Sequence, residues 1–158
     1  MRAVLFCLTL AFVAVPSLAE TSAVPYPDGY RAWYHIKSML IEEGHPLFGS
    51  FGGIHHIYAN EKALAGYENG RFADGAVIVF DLLEAETAGG AVTEGSRKVA
   101  GVMHKDARKY AATGGWGFEA FRGGDRASRA VGGGPATACF GCHAPQKEHD
   151  YVFSSLRD

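Results

Sequence analysis

Short β-forming runs separated by glycine-containing turns constrain this fold more than any other feature of the sequence. The strongest run, residues 76–83 (AVIVFDLL), directly follows the turn signal Asp74-Gly75. Residues 97–105 alternate in side-chain character, as expected of a strand with two differently packed faces. The 21 glycines of the 158-residue chain favour tight turns over long helices. Further candidate strands are residues 35–41, 54–59 and 116–122.

Helical signals are few and short. Residues 29–34 predict one helical turn, and Asn60 caps a predicted helix that runs through Leu64 and Tyr67 to Asn69-Gly70. We interpret residues 87–96 and 111–115 as hairpin linkers and residues 123–138 as a loop. The sequence predicts an α+β fold, mostly antiparallel β, with a single twisted sheet of about five strands, short helices and a helical segment at the C-terminus.

The N-terminus has the features of a secretory signal peptide. A basic start is followed by an apolar run over residues 3–15, and residues 16–19 (PSLA) end in a small-x-small cleavage pattern. We predict cleavage after Ala19, which leaves residues 20–158 as a single exported, periplasmic domain. The apolar run is too short to span a bilayer, and a retained membrane anchor is the alternative. Cys7 is removed with the signal peptide, so the mature chain retains only Cys139 and Cys142.

The charge distribution argues against a nucleic-acid partner. Fifteen Lys and Arg against seventeen Asp and Glu give a formal net charge of -2, and no long run of like charges occurs. No later segment is apolar for long enough to predict a membrane span.

Cys139-Phe140-Gly141-Cys142-His143 is a C-x-x-C-H motif, the attachment pattern of a c-type haem. On a helical turn the two thiols lie at i and i+3 and can bond the two vinyl groups of one porphyrin, and the histidine at i+4 can ligate the iron. The alternatives are a structural disulfide, a thioredoxin-type redox pair and half of a zinc site. We predict one covalent haem c, with Cys139 and Cys142 as thioether residues and His143 as the axial ligand.

The sequence does not identify the sixth ligand of such an iron. Met or His completes an electron-transfer haem. A strand methionine is more often a core residue, and the neighbours His55 and His56 point to opposite sheet faces, so only one of them can face a ring. The candidate ligands are Met103, His45, His55, His56, His104 and His149.

The chain resembles the cytochrome P-460 family, which includes the cytochromes c′-β. The resemblance covers nearly the whole mature chain and rests on the order of six blocks: 51–58 (FGGIHHIY), 71–82 (RFADGAVIVFDL), 105–111 (KDARKYA), 116–118 (WGF), 139–143 (CFGCH) and 150–154 (DYVFS). It implies a mostly antiparallel β fold, a homodimer, and one five-coordinate c-haem whose open face lies against the sheet.

Two positions separate the functions within this family. True cytochromes P-460 cross-link a strand lysine to the haem, place a glutamate near the open site and oxidise hydroxylamine. Here the resemblance places Phe80 at the lysine position and Gly101 at or beside the acidic position. Phenylalanine cannot form the cross-link and glycine cannot transfer protons.

This departure is similar to the cytochrome c′-β branch. It implies an apolar distal cap of Phe80, with Phe51 as a second ring, over a site for NO or CO. A core role for Phe80 is the structural alternative. The functional alternatives are a hydroxylamine- or NO-oxidising enzyme and a periplasmic electron carrier that exchanges electrons with a redox partner protein.

Overall fold

A computed structural model describes residues 23–131, 134 and 136–157, and the predicted signal peptide, residues 1–19, lies outside them. One antiparallel sheet has the order β1-β2-β3-β4-β5, so every strand pairs with its neighbour in the chain. This confirms the predicted α+β fold and all five predicted strands. The strands are β1 (Tyr34–Ile41), β2 (Gly53–Ala59), β3 (Val77–Ala88), β4 (Ala91–Lys105) and β5 (Trp116–Arg122).

The β3–β4 hairpin is longer than the sequence predicted. Pairing continues through Glu86 and Thr93 to Ala88 and Ala91, so most of the predicted linker over residues 87–96 is strand. The connection consists of Gly89 and Gly90, whose φ angles of 59° and 80° suit a two-residue hairpin turn. The linker prediction was wrong because two consecutive glycines suffice to reverse the chain, and the β-branched residues beyond them continue the ladder.

The helices are short, as predicted. α2 (Glu61–Asn69) starts at Asn60, whose side chain accepts a hydrogen bond from the Ala63 amide at 2.9 Å, and ends at Gly70 with φ 72°. α1 (Phe48–Phe51) was not predicted. Single 3-10 turns at Tyr30–Ala32 and Ala111–Thr113 lie before β1 and β5. The C-terminal helical segment contains a π-type turn at Ala136–Phe140, α3 (Gly141–His143) and a 3-10 stretch at Ala144–His149.

Both faces of the sheet are covered, and the C-terminal segment packs on one of them. On that face Ile78 and Phe118 form a buried cluster with Phe72 and Val152, and Cys139, Phe140 and Tyr151 pack against it. The opposite face buries a separate cluster around Ala100, Val102 and Phe121. Nowhere in the described part of the chain is a helix long and apolar enough to cross a membrane.

Candidate functional site

The C-x-x-C-H motif lies on consecutive helical turns, as its spacing predicts. Cys139 and Cys142 are free thiols; Cys139 is half-buried and Cys142 is exposed. Burial raises the pKa of the Cys139 thiol, and the nearby Glu119 carboxylate adds to this shift. The zinc alternative lacks a second ligand pair in the described ranges, which contain no group of three or more His, Cys, Asp or Glu side chains able to hold a metal ion.

His143 is held in one tautomer and one orientation. Its ring packs between Phe118 and Phe153, with ring centroids 5.0 and 4.9 Å away. Its Nδ1 lies 2.7 Å from the carbonyl oxygen of Tyr151. A carbonyl only accepts, so Nδ1 carries the hydrogen and Nε2 keeps its lone pair. Burial lowers the pKa of His143, although the bond to Tyr151 opposes this shift, so the neutral imidazole is favoured.

The geometry of His143 is that of a metal ligand. Metal-binding histidines regularly donate their second ring N–H to a backbone carbonyl, which fixes the tautomer and strengthens the ligating nitrogen. With two free thiols in the preceding turns, these residues fit a covalently attached haem. Cys139 and Cys142 would form the thioethers, and His143 would ligate the iron.

The strand register places Phe80 on the same sheet face as this motif. Phe118, which touches His143, pairs with Met103, and Met103 pairs with Ile78. Directly paired residues share a face, as do residues two apart on one strand. Phe80 is therefore one row beyond Ile78 on the face that the C-terminal segment covers.

Phe80 and Phe51, the two predicted distal residues, are in contact. Their ring centroids lie 5.8 Å apart in a T-shaped arrangement, with Phe51 supplied by α1 and Phe80 by β3. Phe80 is half-buried, and Phe51 is 41% exposed. A partly exposed aromatic pair beside the sheet face that the C-terminal segment covers is a suitable surface for an apolar ligand or cofactor.

The structure places His55, one of the candidate sixth ligands, beside Phe80. It is only 4% exposed, and its ring centroid lies 4.8 Å from that of Phe80. Its Nε2 has no hydrogen-bond partner among the described residues. Burial, and secondarily the neighbouring His56, lower its pKa. The alternation rule allowed either His55 or His56 to face this site, and the register assigns His55, which pairs with Leu82.

Two of the candidate sixth ligands lie on the opposite face. His56 pairs with Asp81, and its ring bridges Ser38 and Glu94 at 2.6 and 2.7 Å. His104 is adjacent in the chain to Met103 and therefore points away from it. Of the strand candidates, Met103 and His55 share the Phe80 face.

The two remaining histidine candidates lie outside the strands. His45 is exposed and accepts a hydrogen bond from the Leu47 amide at 3.1 Å. His149 is exposed at the end of the C-terminal 3-10 stretch.

Gly101 lies directly across from Phe80. A Cβ at Gly101 would meet the Cβ and Cδ1 of Phe80 at 3.6 Å, which is ordinary van der Waals contact, so the glycine leaves a methyl-sized gap beside the ring. The nearest acidic strand residues, Asp81 and Glu119, point to the other face and pair with arginines.

Neither nearby lysine presents a free amine to Phe80. Lys98 Nζ donates to the carbonyl of Gly52 at 2.9 Å. Lys105 Nζ lies 2.7 Å from Asp150 Oδ1, and both side chains are buried. Both amines are therefore engaged by other groups.

Comparison with known proteins matches the chain to a family model. The family model described as Cytochrome P460 matches residues 27–154, which include all five strands and the C-x-x-C-H motif. No curated protein matches the chain significantly.

Proposed function

Because the chain belongs to the cytochrome P460 family, we propose that it is an exported monohaem c-type cytochrome that binds NO or CO at an open, apolar site. Haem c, when bound, supplies an iron atom with one coordination position for a small ligand. Cys139 and Cys142 would hold the cofactor through thioethers, and His143 would ligate the iron. The protein acts in the periplasm as a gas sensor, scavenger or buffer, works as a homodimer, and is a binding protein rather than an enzyme.

The contact between Phe51 and Phe80 carries this proposal. The Phe80 ring stands where, by the resemblance, the family's enzymes carry a lysine, and the Phe51 ring of α1 packs against it. Gly101, opposite Phe80, supplies no proton donor, and Lys98 and Lys105 are bonded elsewhere. The two rings favour an uncharged diatomic ligand, and Phe51, Phe80 and Gly101 give no general acid–base help to hydroxylamine oxidation. The His55 imidazole, 4.8 Å from the Phe80 ring, is the polar group beside them.

Met103 favours one second candidate, a simple electron carrier. Its side chain is half-buried on the Phe80 face and packs against the cluster that also contacts Cys139. If the thioether bound the iron, the haem would be six-coordinate and low-spin, and small ligands would compete poorly.

The visible absorption spectrum of the holoprotein tests these readings. We would record it oxidised and dithionite-reduced, before and after addition of NO, with the Cys139→Ser/Cys142→Ser variant as the control for covalent attachment. A high-spin spectrum that shifts with NO, and a variant whose haem is removed by acidic acetone, are the expected results. A low-spin spectrum indifferent to NO would refute gas binding and favour Met103 ligation. A far-red-shifted reduced Soret band with hydroxylamine turnover would favour the enzymatic alternative.

A further inference from the structure

The carbonyl that holds His143 lies in an unusual stretch of backbone. Asp150 and Tyr151 have φ angles of 50° and 66°, and they are the two non-glycine residues with positive φ among those described. Such a conformation is strained for a non-glycine residue and persists only where the surroundings enforce it. The Tyr151 carbonyl accepts the Nδ1 hydrogen of His143 at 2.7 Å. The groups that enforce this backbone therefore also place the partner of His143.

Asp150 is anchored through all its oxygen atoms. Its Oδ1 lies 2.7 Å from Lys105 Nζ, and its Oδ2 accepts from the Phe72 amide at 3.0 Å. Its backbone carbonyl accepts from the indole Nε1 of Trp116 at 2.8 Å. The side chains of Lys105 and Asp150 are only 10% and 9% exposed. Charge-assisted bonds are strong in so little water, so the Asp150 backbone has little freedom.

Lys105 is also held in place, by contacts at the C-terminal end of β4. It is the last residue of β4, its Nζ also donates to the Gly114 carbonyl at 3.2 Å, and it lies 4.9 Å from the Trp116 ring centroid. A continuous set of contacts therefore joins the C-terminal end of β4 to the His143 imidazole through Lys105, Asp150 and the Tyr151 carbonyl.

We propose that Lys105 and Asp150 are positioning residues for His143, whose ion pair sets the carbonyl that orients the imidazole and strengthens Nε2 as a ligand. This inference rests on the proposed haem-binding function. A hydrogen bond to the second ring nitrogen of a ligating histidine increases the basicity of the ligating nitrogen. Lys105 and Asp150 would therefore affect the iron indirectly, because they fix the Tyr151 carbonyl that accepts this bond.

A purely structural role accounts less well for this pair. Burying two charges costs desolvation energy that the attraction between them often only offsets, so apolar residues would serve stability equally well. The Arg97–Asp81 pair lies on the opposite sheet face from His143, and its carboxylate is 2% exposed against 9% for Asp150. It provides a matched control for the loss of a buried ion pair.

The test compares the holoprotein with the Asp150→Asn variant and the Lys105→Met/Asp150→Asn double variant. The double variant is needed because Asp150→Asn alone leaves the Lys105 charge buried without a partner and can prevent folding. The readouts are the iron–histidine stretching band of the ferrous protein by resonance Raman spectroscopy and the haem reduction potential. Asp81→Asn is the control.

We expect the stretching band to move to lower frequency and the reduction potential to rise in both Asp150 variants. The reduction equilibrium should shift about tenfold, at the lower end of the effect of removing a partner behind a metal ligand. Asp81→Asn should lower the melting temperature and leave the band and the potential unchanged.

Two results would overturn the inference. One is a band and a potential that match the wild type in both Asp150 variants; the other is an equal change in Asp81→Asn, which would mean that any lost ion pair has this effect. A wild-type protein without haem would overturn the proposed function and this inference together. A haem-loaded wild type with unresponsive variants would overturn only the positioning role.

Discussion

Replacing Phe80 with alanine separates a distal cap from an ordinary core residue. The ring touches Phe51 at 5.8 Å and His55 at 4.8 Å between centroids and is half-buried. Each ring contact is worth about 0.5–1.5 kcal/mol beyond the apolar area that it buries. Because the ring is half-buried, its truncation should cost roughly half of what a fully buried ring loses, about 1.5–2.5 kcal/mol in all. A fully buried phenylalanine loses about 3–5 kcal/mol on the same substitution. We therefore expect Phe80→Ala to lower the free energy of unfolding by about 1.5–2.5 kcal/mol.

The same substitution should accelerate ligand entry. Displacing the ring breaks about one ring contact, which would add about 1.4 kcal/mol to the barrier for CO entry. Removing the ring should therefore speed CO association about tenfold. Urea denaturation measures the stability, and CO rebinding after flash photolysis measures the rate. Phe121→Leu is the control, because Phe121 is 0% exposed on the opposite face, and it should lose stability with no change in CO rebinding. A stability loss of about 3–5 kcal/mol in Phe80→Ala with unchanged CO kinetics would refute the distal-cap reasoning.

Two further predictions follow from the same structure. Gly101→Ala fills the gap beside Phe80 at 3.6 Å, so we expect about 0.5–1 kcal/mol more stability in urea and slower CO binding; a loss of stability would contradict this. Burial lowers the pKa values of His55 and His104 below their usual 6.5. As the pH falls, these histidines are therefore protonated in the unfolded chain before they are protonated in the folded protein. The stability they contribute is complete above about pH 6.5 and is lost as the pH falls below it, by up to about 1.4 kcal/mol per pH unit for each histidine. The melting temperature should fall from pH 7.5 to 5, and His104→Gln should reduce that fall; a flat profile would count against it.

Local chemistry explains what could be predicted from the sequence. Residues 76–83 and 116–122 are β-forming runs bounded by turn residues, so their positions depend on neighbours in the chain. Asn60 and Gly70 bracket α2 for the same reason, since caps act within one turn. The C-x-x-C-H spacing likewise depends only on helical geometry. The predicted signal peptide, export and homodimer stay predictions.

Tertiary structure decided which distant residues meet. The sequence could not choose between His55 and His56, because alternation gives opposite faces and only the register with β3 says which face the C-terminal segment covers. The contact between Phe80 and Phe51 depends on α1, which has too few residues to show a helical period. Lys105, Asp150 and the Tyr151 carbonyl come from separate segments, and burial makes their contacts strong. Burial and long-range pairing are properties of the folded chain, and they orient the candidate haem ligand.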